Sequence, residues 1–189
     1  AKSDVFLKTI YDIFMSDREN QNSLFQILAS LHNEGSIDVV NEFLYLKKSN
    51  KEYDFFLTRH ILETIIPDLN APVSNVMECV RQLTVEAGHD LAAGAIISPF
   101  IKYLENDSSR PEEALYIVLD HYDGEFDFIT PIIIAGTKIN LPQFSKKAIE
   151  LSQHPNLNIK ICATYALGRI NYLEKKELII NAALAIMSV

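Results

Sequence analysis

The sequence predicts an all-α fold of about five antiparallel helix pairs followed by a C-terminal helix. Three observations carry that expectation. Apolar residues recur at helical spacing along almost all of the 189 residues. Six glycines and seven prolines leave little material for hairpins. Helix starts also return at a regular step, which marks a repeated supersecondary unit.

The first helix is expected over 4–16, with Val5, Phe6, Ile10, Ile13 and Phe14 on one stripe and Ser3 as its cap. Its partner runs over about 19–34 through Leu24, Ile27, Leu28 and Leu31, and Gly35 follows as a residue able to take the left-handed conformation. Ser36 is placed to cap a helix over 37–48, built on Val39, Val40, Phe43, Leu44 and Leu46. The next helix covers about 52–66, and Pro67 stops it. Pro72 opens 73–87, and Gly88 closes it. Its partner spans 90–105, where Pro99 should kink or break the helix.

Pro111 opens a helix over 112–121, and the turn at Asp123-Gly124 leads into 126–137. The stretch Phe128–Ile134 is β-branched and would suit a strand, but Pro131 would remove a ladder hydrogen bond. It is expected to be a buried, bent helix. Pro142 opens 143–152, Pro155 sits in the following turn, and 158–170 follows. A last apolar helix begins near 173 and carries Ile179, Ile180, Ala183, Leu184, Ile186 and Met187.

First helices thus begin near 4, 37, 73, 112, 142 and 173, and second helices near 19, 52, 90, 125 and 158. The mean step is about 34 residues, the period of helix-pair arrays. The clearest unit is Leu141–Ile170, LPQFSKKAIELSQHPNLNIKICATYALGRI. Its proline-led first helix, polar turn at Pro155-Asn156, apolar–basic pair Ile159-Lys160 and small residues Ala163, Ala166 and Gly168 around Leu167 resemble a HEAT repeat. The other pairs share only the period. The resemblance implies a right-handed α-solenoid, armadillo-like in architecture, formed by 1–189 as a single repeat domain. It also implies a long surface, lined by second helices, that grips a protein or peptide. On that surface the candidates are Arg59 and Glu63 on one second helix and Lys160, Thr164 and Arg169 on another. The strongly apolar last helix predicts that the array continues or that this end docks something, such as a second copy, because solenoids need polar ends.

Catalytic signals are weak. There is no GxGxxG, Walker A or GxSxG motif. The five histidines, His32, His60, His89, His121 and His154, never share an i, i+4 face, and His60, mid-helix beside Arg59 and Glu63, reads as a partly buried structural residue. Around Gly124, a calcium loop would need ligands at Leu119 and Thr130, which fails. The acids Asp120, Asp123, Glu125 and Asp127 are better read as a turn favouring the dipole of the next helix. No metal or cofactor is expected.

The net charge is −8, and it is uneven. Residues 1–139 carry 11 basic and 22 acidic side chains, whereas 140–189 carry 6 and 3. The acidic stretch leaves open an inhibitor that neutralises a basic partner, as bacterial immunity proteins do. A helical-repeat DNA glycosylase would need a basic face, and here only Lys146, Lys147, Lys160, Arg169, Lys175 and Lys176 collect, without a tryptophan to stack on a base. Nucleic acid is therefore not expected as a partner. No apolar run reaches the ~18–20 residues that span a bilayer. Cys79 and Cys162 stand far apart with no CxxC, which predicts buried thiols and a cytoplasmic, reducing location. The leading expectation is a non-catalytic interaction scaffold.

Overall fold

A computed structural model describes residues 21–48, 55–87, 96–121 and 127–170. The helices expected over 4–16 and from 173 onward, and the centre of the acidic turn, lie outside these residues. Every regular element described is helical. The helices are α1 (Gln21–Asn33), α2 (Val39–Lys48), α3 (Phe55–Ile65), α4 (Val73–Ala87), α5 (Ile97–Glu105), α6 (Arg110–Asp120), α7 (Ile129–Ile139), α8 (Leu141–Leu151) and α9 (Leu157–Arg169), with a 3₁₀ turn at Ile66–Asp68. The chain divides into two compact units, 1–79 and 80–189, and the division falls within α4.

In the first unit α1 packs against α3. Phe25, Leu28 and Ala29 of α1 and Ile61, Leu62 and Ile65 of α3 are buried at helical spacing. Gly35 has φ +75°, and two bonds lock the end of α1: Gly35 N–H to His32 O at 2.9 Å and Ser36 N–H to Leu31 O at 2.9 Å. That pair of bonds is a Schellman closure, which requires the left-handed residue glycine supplies. Ser36 therefore serves the end of α1 and does not cap α2. The cap is Asp38, whose Oδ1 accepts from Asn41 N–H at 3.0 Å. His32 is buried, and its Nδ1 accepts from Val39 N–H at 3.2 Å, with the Asp38 carboxylate 3.8 Å away. Burial lowers its pKa from 6.5, and Asp38 opposes that shift.

The second unit is built around α7, which packs against α5, α6, α8 and α9; α8 also packs on α9, and α5 on α6. Ile129, Ile132 and Ile133 of α7 are fully buried, each contributing about 2 kcal/mol. The run expected to be bent is helix from Ile129, and Pro131 stands in the first turn. Its missing N–H costs nothing there, so the ring is accommodated at the start of the helix. Pro99 is accommodated the same way in the first turn of α5. Asp127 accepts from Thr130 N–H at 3.1 Å and so satisfies a free donor of that turn.

Close approach fixes α7 on α8. A Cβ added to Gly136 would stand 2.2 Å from the Phe144 ring, so only glycine fits. Asn140 caps α8, accepting from Gln143 N–H at 3.3 Å, and Asn156 caps α9, accepting from Asn158 N–H at 2.9 Å. On α5, the Arg110 guanidinium lies 4.1 Å over the ring of Tyr103 and donates to the Tyr103 carbonyl at 2.8 Å. Burial pushes the Tyr103 phenol up to about 12 although Arg110 pulls it down.

Long-range side-chain bonds span nearly constant lengths of chain. Asn33 Nδ2 donates to Asp68 O at 2.8 Å, and Asn70 N–H donates to Asn33 Oδ1 at 2.7 Å. Lys138 pairs with Glu105 at 2.5 Å, and Lys147 with Glu112 at 3.6 Å. Gln143 donates to Glu112 at 3.3 Å, and Thr130 donates to the Cys162 carbonyl at 3.0 Å. These bonds cross 31 to 37 residues, close to the step expected from sequence.

Candidate functional site

Helix α9 is apolar on two sides. One side, through Ile159, Ala163 and Ala166, is buried. Alanine at 163 and 166 lets α9 lie close to its neighbours α7 and α8. Of the other residues that carry the HEAT-like pattern, Leu167 is only half-buried and Gly168 is exposed. A Cβ built on Gly168 meets nothing within 4 Å, so this glycine leaves an open notch.

The other side of α9 is exposed. Leu157 is 65%, Ile161 55% and Tyr165 52% exposed. A shallow open groove of about 560 Å³ runs along this side, lined by Lys160, Ile161, Thr164, Tyr165, Gly168 and Arg169. At about 100° per residue, Leu157, Ile161 and Gly168 fall on one line, with Lys160 at one edge and Arg169 at the other. Three of the five residues expected to meet a partner, Lys160, Thr164 and Arg169, therefore share one groove.

Each groove residue has a defined state. Arg169 donates to the Tyr165 phenol oxygen from Nε at 3.0 Å and from Nη2 at 2.5 Å, and its Cζ lies 5.1 Å from the ring centroid. This pins Tyr165 while leaving the guanidinium charge opposed only by a neutral group among the described residues. Lys160 makes no ion pair among the described residues. The Thr164 hydroxyl turns back to donate to Lys160 O at 2.8 Å, so it makes no unmet demand on a ligand. Helix α9 carries no acidic residue.

Arg59 and Glu63 lie in the first unit and pair with each other at 2.5 Å, with side chains only 15% and 16% exposed. Arg59 Nη1 is buried without a hydrogen-bond partner among the described residues, but side chains this enclosed present little surface to a partner. His60 is exposed, not partly buried, with its ring edge-on to Phe25 at 5.5 Å. Of the other basic residues collected near this end of the chain, Lys146 sits 3.9 Å from Glu150 and Lys147 3.6 Å from Glu112, while Lys175 and Lys176 lie outside the described residues.

Cys79 is fully buried and Cys162 partly so, both as free thiols. Burial raises the Cys79 pKa, which suppresses the reactive thiolate. Among the described residues no three His, Cys, Asp or Glu side chains gather where they could hold a metal, and no helix is long and apolar enough to cross a membrane.

Sequence reasoning missed Leu157, Ile161 and Tyr165 as site residues. The available signal was that α9 is apolar nearly all round, a pattern that belongs to a helix covered on every side. No family model matches this chain, and neither a curated protein nor a solved structure matches it.

Proposed function

We propose that this chain is a HEAT-like helix-pair array that acts as a non-catalytic scaffold and binds a protein partner through the exposed side of α9. One observation carries the reading: among the described residues, a helix apolar on two sides has only one of them covered. Large contiguous apolar exposure is the usual mark of a docking surface. Two further features support the repeat architecture. Alternate helices α5, α7 and α9 pack in succession, with α6 and α8 against α7. The side-chain bonds between successive pairs also recur at about one period.

A photo-cross-linking amino acid at position 161 tests the reading in extract of the native host. We expect a discrete protein adduct that disappears when Lys160→Glu and Arg169→Glu are added. Absence of any adduct at 161 would remove α9 as the docking side.

A further inference from the structure

Resting on the α9 reading, we infer that the groove takes an amphipathic helix from a partner protein, with acidic residues along both edges of its apolar stripe and one bulky apolar side chain seated beside Gly168. The shape argues first. From Leu157 to Gly168 the exposed stripe is straight and about 16 Å long, three turns of helix. A rigid ridge of that length is matched by another helix laid along it, whose side chains enter the spaces between those of α9.

The chemistry argues second. The centre of the stripe, Leu157 and Ile161, offers no hydrogen bond, and the Thr164 hydroxyl is already satisfied within α9. The centre therefore selects apolar side chains. The edges are cationic on both sides: Lys160 has no ion pair among the described residues, and Arg169 is bonded to a neutral phenol. With no acid on α9 to oppose them, these charges favour carboxylates at both margins of the incoming helix. A partner with lysines at those margins would be repelled at both.

The notch argues third. Gly168 is exposed within a helix, where glycine is worse than alanine by about 0.5–1 kcal/mol. A Cβ there would touch nothing, so packing among the described residues does not require the glycine. The space it leaves, beside the pinned Tyr165 ring, accepts a projecting side chain from outside.

The test uses the full chain and two synthetic helical peptides of about four turns with the same leucine stripe. One carries glutamate at both edges of the stripe, the other lysine. Binding is read by fluorescence anisotropy. We expect the acidic peptide to bind at least about tenfold tighter, a difference of ~1.4 kcal/mol, and to weaken as salt rises. Lys160→Glu with Arg169→Glu should reverse the preference. Gly168→Phe should weaken the acidic peptide about tenfold without lowering the thermal midpoint, and Gly168→Ala serves as the milder variant if phenylalanine perturbs folding.

Equal binding of both peptides, or tighter binding of the lysine peptide, overturns the charge assignment while leaving α9 as a docking side. Binding of neither peptide overturns the proposal. If sedimentation then shows self-association that Ile161→Glu abolishes, the groove belongs to a second copy. Only the loss of the adduct at 161 as well would remove the docking reading itself.

Discussion

Helix α7 packs against α5, α6, α8 and α9 and buries eight of its eleven residues, whereas α9 packs against α7 and α8 and leaves Leu157, Ile161 and Tyr165 more than half exposed. Both helices are apolar nearly all round. An isolated sequence window would place both in a core. What separates them is the number of sides that this chain's described residues supply with neighbours. Apolar composition thus reports the need for cover, and packing reports whether the need is met.

Substitutions at matched positions can break this contrast. The largest effect is expected for an aspartate at the isoleucine positions. Ile133→Asp would bury a carboxylate in α7 and lower stability by about 4–5 kcal/mol, enough to unfold many domains of this size. Ile161→Asp on the exposed side of α9 should stay within about 0.5 kcal/mol. Urea titration of both variants measures the gap, and equal losses would mean that α9 is as enclosed as α7.

The two glycines sharpen the contrast by sign. Gly136→Ala drives a methyl into Phe144 and should cost about 1–3 kcal/mol. Gly168→Ala meets open space and should stabilise by about 0.5–1 kcal/mol. Thermal midpoints moving in opposite directions would confirm the difference. The threonines give a smaller effect. Thr130→Val removes the donor to the Cys162 carbonyl and should cost about 1–2 kcal/mol, while Thr164→Val, which loses only a bond within its own helix, should be close to neutral.

Acid separates the two units more gently. His32 holds its neutral form because burial disfavours the cation and because Nδ1 accepts the Val39 N–H. A histidine whose folded pKa lies below its unfolded 6.5 gives its full stability above 6.5. That stability declines as pH falls through 6.5 toward the lowered folded value, below which the loss is complete. Amide protection factors around the α1–α2 turn, corrected for the intrinsic slowing of exchange in acid, should therefore fall as pH drops below 6.5, and His32→Gln should remove the dependence. Unchanged protection factors in the parent protein would place His32 outside the stability of that turn.

Much of the helical layout was legible because its signals are local. Pro72 and the following stripe set the start of α4 at Val73, and Gly35 ended α1 with the left-handed turn its identity suggests. Prolines were legible as starts where a turn precedes them, as at Pro72, Pro111 and Pro142, but not inside apolar runs: Pro99 and Pro131 each stand in a first turn, where the ring fits. Ser36 and Asp38 are both good caps, and only the bond from Asn41 distinguishes them. Gly136 and Gly168 illustrate what local pattern cannot carry. One is required by an aromatic ring from the next helix and the other by nothing within the described residues, so only tertiary packing separates them. The same holds at the site. The charges Lys160 and Arg169 could be read directly, but the hydrophobic centre between them could not, since exposure of Leu157 and Ile161 depends on which neighbours arrive.

The recurrence of side-chain bonds at about one period has a kinetic consequence. Closing a loop of some thirty residues carries a modest entropic toll, and each closure here brings adjacent pairs together. In the helix-pair array proposed above, assembly can begin at any pair and zip outward, so rapid ordering is expected of it. In such an array damage to one pair is felt mainly by its immediate neighbours, so the proposed architecture would tolerate the gain or loss of whole units in the course of evolution.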